Sequence, residues 1–305
     1  MIVEMRNTST SLIAKKLQEL RETGGVVALG RVLSLLVETD SNHLEESIKT
    51  ANSASRLHPS RIIVLAKDET AKSNLDAEIR VGGDAGASEV IVLHAAGKTL
   101  SNIESLVSGL LLPDAPIVAW WPTDCSDNPA ATEIGRLTGR RITNSASQPN
   151  PVSFLGRLAK NYQPGDGDMA WTRITLWRSQ LAALMEQHLS RRVLAISVFG
   201  NGSSPSTHLL KGWLQLKLGV KAEIVEKIGQ EEVSGVGGVE IQFDSGTLRI
   251  IRAGEVARIE QPDLPITSVL LPPRSDLDCL IEDLRFLGED LEYAEVLKAG
   301  FLNAA

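Results

Sequence analysis

Asp166-Gly167-Asp168-Met169-Ala170-Trp171-Thr172-Arg173-Ile174-Thr175-Leu176-Trp177-Arg178, near the middle of a 305-residue chain, decides how the rest is read. It follows the break Pro164-Gly165 and opens a helical pattern over residues 169–189. At about 100° per residue, Trp171, Ile174 and Trp177 share one broad apolar face, which Leu181, Leu184 and His188 extend. Arg178 points the same way, and Arg173 points roughly opposite, outward. Asp166 or Asp168 is placed to cap the helix N-terminus or to reach an arginine of the first turns. A face holding two of the five tryptophans is expected to be core. Trp and Arg also mark partner surfaces. Both readings hold if the helix is a domain seam.

This length predicts about two domains. At 43% hydrophobic and 23% charged, the chain falls with soluble globular proteins. A net charge of −7 argues against general nucleic-acid binding. The charge is uneven. Residues 134–192 hold nine Lys or Arg (Arg136, Arg140, Arg141, Arg157, Lys160, Arg173, Arg178, Arg191, Arg192) against Asp166, Asp168 and Glu186. Residues 275–298 hold eight acids against Arg285 and Lys298. A basic middle and an acidic tail attract each other within the fold or face different partners. Cys125 and Cys279 are too far apart in sequence to suggest a disulfide framework and fit a reducing compartment. The first twenty residues lack a signal-peptide core, and the most apolar stretch, 106–121, contains Asp114 and two prolines. A cytoplasmic protein without membrane contact is expected.

Outward from the central stretch, the N-terminal half alternates helices with apolar runs. Residues 10–21 read as a helix stopped by Gly24-Gly25. Residues 32–37, 61–66, 89–93 and 116–121 read as buried strands, and 75–81 alternates like a half-buried strand at a sheet edge. Ser41 or Asn42 caps the helix over 44–51, and Ser101 with Glu104 forms a capping box for the next. Asn128-Pro129 starts another. This pattern predicts an α/β domain, Rossmann-like with a mostly parallel sheet, over residues 1–150. Residues 151–305 are expected to form a mixed α/β domain opened by the Trp171–Arg178 helix. Gly235 to Gly238 read as a flexible turn. Strands over 239–243, 247–252 and 256–259 follow with hairpin turns at 244–246 and 253–254. A further strand over 267–271 and two helices finish the chain.

The strongest chemical candidate is the turn between a strand and a helix, Gly200-Asn201-Gly202-Ser203-Ser204-Pro205-Ser206. Such a turn can offer backbone N–H groups to a phosphate. However, Pro205 stands where a dinucleotide pattern needs its third glycine, and the lysine of a P-loop is missing. A tight turn without a ligand is the favoured reading. The five histidines and two cysteines show no metal-ligand spacing, and no catalytic constellation or cofactor motif is present. Trp120-Trp121-Pro122 closes a strand where α/β sheets bind ligands. One of the two tryptophans is expected in the core, and Trp121 is kept as a contact candidate with Trp171, Arg173, Trp177 and Arg178.

Four segments carry a resemblance in combination: His58-Pro59-Ser60-Arg61-Ile62-Ile63-Val64, then residues 112–122 ending in Ala119-Trp120-Trp121-Pro122, then Arg140-Arg141-Ile142-Thr143, then residues 165–178. With Gly212-Trp213-Leu214, they make the chain resemble the actinobacterial type of the glucose-6-phosphate dehydrogenase assembly protein family, OpcA. The resemblance covers essentially the whole chain. It implies a non-catalytic partner that binds glucose-6-phosphate dehydrogenase, promotes its active oligomer and raises its activity in the NADPH-supplying oxidative pentose phosphate route. It implies no catalytic residue, metal or cofactor. Thiol-linked control is associated with cyanobacterial relatives, and Cys125 and Cys279 do not match a pattern for it. The alternative from another class is a sugar-phosphate or nucleotide-binding enzyme using the Gly200–Ser206 turn. A nucleic-acid-associated protein using the basic middle is disfavoured by the overall acidity. The chain's own oligomeric state stays open.

Overall fold

The computed structural model describes residues 1–23, 30, 32–68, 72–81 and 89–301. The expected stop at Gly24-Gly25 lies outside the described residues. The chain divides into two compact units. The first comprises Met1–Asn144, Gln163–Gly167 and Asp276–Glu289, and the second Ser145–Tyr162, Asp168–Ser275 and Asp290–Ala305.

The first unit is built on an eight-stranded sheet. Its strands are β1 (Ile2–Met5), β2 (Leu33–Thr39), β3 (Ser60–Asp68), β4 (Asn74–Arg80), β5 (Glu89–Ala96), β6 (Ile117–Trp120), β7 (Arg140–Thr143) and β8 (Asp166–Asp168), in the order β1-β4-β5-β3-β2-β6-β7-β8. Strands β5, β3, β2, β6 and β7 run parallel. Numbered along the chain, these five stand in the order 3-2-1-4-5, that of a doubly wound Rossmann sheet. β2, β3 and β5 are almost continuously buried, as strands covered on both faces must be. Helices α1 (Thr10–Thr23), α2 (Leu44–Ala54), α3 (Ile103–Ser108) and α4 (Glu133–Arg136) accompany them. Ile13, Leu17, Ile63, Ile91, Val107 and Trp121 share one core.

Three local expectations change here. β4 alternates as predicted but is not the edge, because β1 pairs with it antiparallel. Asn102, not Ser101, caps α3: its Oδ1 accepts from Ser105 N at 3.0 Å, while Ser101 Oγ donates to the Lys98 carbonyl. Ahead of α2, neither Ser41 nor Asn42 acts as the cap. Asp40 Oδ1 accepts from Asn42 N at 2.7 Å and His43 N at 3.2 Å.

In the second unit α5 (Pro151–Asn161), α6 (Met169–Arg173), α7 (Thr175–Met185), α8 (Pro205–Leu218) and, near the end of the chain, α10 (Leu291–Phe301) accompany a six-stranded sheet; the intervening helix α9 (Asp276–Asp283) belongs to the first unit. That sheet runs β10-β9-β13-β14-β15-β16, with β9 (Val193–Gly200), β10 (Ala222–Val225), β13 (Val236–Phe243), β14 (Gly246–Ala253), β15 (Val256–Glu260) and β16 (Thr267–Leu270). A two-stranded ribbon, β11 (Lys227–Ile228) and β12 (Glu231–Glu232), stands apart. β10 and β9 are parallel, and the other pairs are antiparallel. The hairpin turns expected after Phe243 and Ala253 are present, with Gly246 and Gly254 at positive φ.

The glycines from Gly235 to Gly238 do not make a flexible turn. β13 starts at Val236 and carries a register shift between Val236 and Gly238. A Cβ on Gly238 would stand 2.5 Å from Ile251 Cδ1, so glycine serves close packing within a bulged strand.

The single helix expected over 169–189 is also interrupted. α6 ends at Ile174, whose φ of −96° and ψ of 8° leave the helical region. Arg274 Nη1 donates to the Thr172 carbonyl at 2.7 Å. That carbonyl would otherwise take the N–H of Leu176, so an inserted side chain explains the break. Asp168 is the cap of α6, accepting from Ala170 N at 2.8 Å and from Ser145 Oγ at 2.7 Å. Asp166 instead pairs with Arg141. Burial pushes the Asp166 carboxyl up, against the pull of Arg141.

Candidate functional site

The five predicted contact residues divide. Trp121 and its neighbour Trp120 are each 1% exposed, so both are core and Trp121 presents no contact surface. Trp171 and Trp177 are likewise buried. Arg173 is half-buried rather than outward: its Nη1 donates to the Arg274 carbonyl at 2.7 Å, answering Arg274 on Thr172. Trp177 lies under Arg252, whose guanidinium carbon is 5.6 Å from the ring.

Trp171 and Arg178 do meet. The guanidinium carbon lies 3.7 Å from the indole centroid; the spacing placed the two on one helix face, and their stacking is decided by the tertiary structure. Around this stack, Asp290 just ahead of α10, Glu292 within it, and Trp213 and Lys217 of α8 supply what sequence reading missed. Trp171 Nε1 donates to Asp290 Oδ2 at 2.7 Å. Arg178 Nη1 donates to Glu292 Oε2 at 2.9 Å. Glu292 Oε1 takes Lys217 Nζ at 2.7 Å and Trp213 Nε1 at 3.1 Å. Burial pushes the Glu292 carboxyl up. The hydrogen bonds from Lys217 and Trp213, with the charges of Lys217 and Arg178, more than offset this and hold it below its ordinary value. The signal was the acidic tail. Its expected attraction to the basic middle is realised in Arg178–Glu292 and, in the first unit, in Arg140–Asp283 at 2.7 Å.

Beside this network, α7 and α8 enclose a groove of about 420 Å³. Leu181, Ala182 and Met185 line it from α7, Leu214 and Leu218 from α8. Arg178, Lys217 and Glu292 form its charged wall. An apolar floor with a few convergent charged groups has the make-up of a binding site.

The Gly200–Ser206 turn is closed to phosphate by its own bonding. Asn201 N donates to the Gly235 carbonyl at 2.9 Å, and Ser204 N to the Asn201 carbonyl at 3.0 Å. Gly202 N donates to Glu226 Oε1 at 3.1 Å and Ser203 N to Asn201 Oδ1 at 2.7 Å. The groups a phosphate needs are thus engaged, one of them by a carboxylate. Ser204 caps α8 ahead of Pro205.

His208 Nε2 donates to the Gly202 carbonyl at 2.8 Å and so clamps this turn. Burial lowers the His208 pKa; the hydrogen bond opposes and the charge of Lys211 adds to the lowering. A histidine depressed in the folded state contributes stability that is present above the unfolded pKa, about 6.5, and lost as pH falls from there through the folded value. Urea midpoints are therefore expected to drop as pH falls below about 6.5, with a flatter profile in His208→Asn. Equal slopes in the two proteins would remove His208 as the cause.

The Rossmann-like sheet has its switch point between β2 and β6, where such folds hold a dinucleotide. There the turn ahead of α2 holds the chain's own carboxylate, Asp40, which takes the N–H groups of Asn42 and His43 and meets His43 Nδ1 at 2.7 Å. Glu45 and Glu46 add negative charge to the first turn. These residues do not fit a pyrophosphate, which needs open N–H groups and a favourable field. Among the described residues, no group of three or more His, Cys, Asp or Glu is placed to hold a metal ion.

Comparison with known proteins gives two family matches. Residues 51–160 match the N-terminal domain of the glucose-6-phosphate dehydrogenase subunit, and residues 164–297 match its C-terminal domain. No curated protein matches. Among solved structures, the chain is similar to biliverdin reductase in complex with biliverdin and NADP+ from Synechocystis sp. PCC 6803, at 12% identity and a TM-score of 0.44, over 90% of this chain and 98% of that one. It is similar to UDP-N-acetylglucosamine 3-dehydrogenase GnnA from Acidithiobacillus ferrooxidans at 11% identity and 0.42, over 88% and 96%. An oxidoreductase from Thermotoga maritima follows at 9% identity and 0.40, over 89% and 98%. At these identities and scores, neither ligands nor activities carry over. The motifs that run from His58 to Arg178 and the two adjoining family matches agree, and the chain belongs to the glucose-6-phosphate dehydrogenase assembly protein family, OpcA.

Proposed function

We propose that this chain is a non-catalytic cytoplasmic assembly factor that binds glucose-6-phosphate dehydrogenase and activates it, supporting NADPH supply through the oxidative pentose phosphate route. The observation that carries the reading is the family match on both halves of the chain, 51–160 and 164–297. Among the described residues, no helix is long and apolar enough to cross a membrane. The physical form of activation is a population shift: the factor binds the active conformation or oligomer of the enzyme more tightly than the inactive one. Moving an enzyme from one-tenth to nine-tenths active requires roughly eighty-fold tighter binding to the active form, about 2.6 kcal/mol.

In this reading Arg178 belongs to the contact region through the groove it borders. Trp121, Trp171, Arg173 and Trp177 act through packing and support. The two-domain organisation, Rossmann-like toward the N-terminus and mixed α/β toward the C-terminus, is part of the same proposal, with residues 163–167 and 276–289 belonging to the first unit rather than to a domain that begins at residue 151.

The test is the rate of NADPH formation by the cognate dehydrogenase as this protein is titrated in, with size-exclusion chromatography of the mixture. A rising, saturating rate with co-elution is expected. An unchanged rate with separate elution overturns the reading.

A further inference from the structure

Neither α7 nor α8 contains an aspartate or glutamate. α7 carries Arg178, and α8 carries Lys211 and Lys217. In a chain of net charge −7, this is a local excess of positive charge around an apolar groove. Glu292 is the acid on the groove wall, and both its oxygens are already bonded, to Arg178 on one side and to Lys217 and Trp213 on the other. Two cations against one carboxylate leave the wall net positive.

The apolar lining has helical spacing. On α7 the groove is bordered by Arg178, Leu181, Ala182 and Met185, at i, i+3, i+4 and i+7. On α8, Leu214, Lys217 and Leu218 follow the same rule. Leu181 and Leu214 are buried and form the floor, while Ala182, Met185, Lys217 and Leu218 stay open along the rim, where a further helix can seat its side chains between the two ridges. Helix-in-groove recognition uses this geometry, and charge at the rim selects the partner and its direction.

We infer that the α7–α8 groove seats an amphipathic helix of the dehydrogenase, one with Asp or Glu beside its apolar stripe to face Arg178 and Lys217. This rests on the assembly reading above and adds where the partner docks and by what chemistry. A second copy of the chain and a small apolar carboxylate are the other occupants of matching character. The repeat of the lining on both helices favours a helix over a short ligand.

The experiment measures the dissociation constant of the full-length chain for its dehydrogenase by titration calorimetry. Ala182→Trp fills the groove from an exposed position. Lys217→Glu, at a half-exposed side chain, reverses the charge of the wall. Lys15→Glu, on the exposed face of α1, is the charge-matched control. Each of the first two is expected to weaken binding about tenfold or more, and the control is expected to bind like the unaltered chain. Binding should also weaken with added salt, less steeply in Lys217→Glu.

If the unaltered chain binds and both groove variants bind equally well, the groove is not the seat, while the assembly reading stands. If the unaltered chain does not bind, both fall. Light scattering of the chain alone separates the second copy: self-association lost in Ala182→Trp, with dehydrogenase binding intact, overturns the inference in that direction. Dodecanoate raising the melting temperature of the unaltered chain but not of Ala182→Trp, again with dehydrogenase binding intact in both, overturns it toward a small ligand. Should Ala182→Trp melt lower than the unaltered chain, Lys217→Glu carries the decision.

Discussion

Glu89→Ala is expected to lower the stability of the first unit by about 3–5 kcal/mol. Glu89 opens β5 and is 2% exposed. Its carboxylate takes Arg61 Nε at 2.7 Å and Arg21 Nη2 at 2.8 Å. Arg61, in β3 and 6% exposed, also donates from Nη1 to the Leu110 carbonyl at 2.6 Å. One carboxylate therefore ties α1 and the neighbouring strands β3 and β5 together, while Arg61 reaches the end of α3. Removing it leaves a guanidinium buried beside apolar strands with a hydrogen bond but no counter-charge, and that desolvation dominates the cost. Glu89→Gln, which keeps the size and one acceptor, should cost less. The double change Glu89→Leu with Arg61→Met should recover much of the loss, because removing both charges removes the orphan. Urea unfolding of the four proteins checks this. A loss below about 1 kcal/mol in Glu89→Ala would show that water reaches Arg61 and screens it.

Trp171→Ala should destabilise the second unit by a similar amount, about 3–5 kcal/mol, the usual range for deleting a buried aromatic side chain. The indole is 3% exposed and packs with Tyr293 at a centroid distance of 5.9 Å. Its loss also strips Arg178 of the face it stacks on and leaves Asp290 without its indole donor. Trp171→Phe keeps a ring beneath Arg178 and loses only the donor and part of the volume, so about 1–2 kcal/mol is expected. A melting temperature about 6–12 °C lower in the alanine variant, and only a few degrees lower in the phenylalanine variant, is the anticipated pair. Equal losses would mean that the hydrogen bond to Asp290, not the stack and the packing, holds the stretch in place.

Much of the fold was legible because it depends on local periodicity. The buried strands around Ile62, Val90 and Val118 read as short, β-branched apolar runs, the pattern of strands in a sheet covered on both faces. The hairpins after Phe243 and Ala253 were visible in Gly246 and Gly254. The glycines at 237 and 238 misled for a physical reason: glycine marks both a turn and a close approach, and only the position of Ile251 distinguishes them. The candidate site was half legible. Trp171 and Arg178 were in view from their spacing, but Lys217, Asp290 and Glu292 were not, because their roles depend on contacts spanning more than seventy residues. The glycine-rich turn at Gly200 looked like a phosphate loop until its donors were seen to be engaged by Asn201, Glu226 and Gly235.

By itself the sequence determined the alternation of strands and helices, the mostly parallel sheet, the hairpins of the second sheet and, through its motifs, the family. Each of these is written in nearest-neighbour pattern or in side chains a few residues apart. The tertiary structure alone decided where the central helix breaks, since Arg274 takes the Thr172 carbonyl from a position about a hundred residues away. It alone brought residues 276–289 into the first unit, where Asp283 pairs with Arg140. It also set Asp40 on the N–H groups of Asn42 and His43, in the turn between β2 and α2. Buried charge and unpaired backbone groups must find partners wherever the fold offers them, and no local pattern records which distant residue that will be.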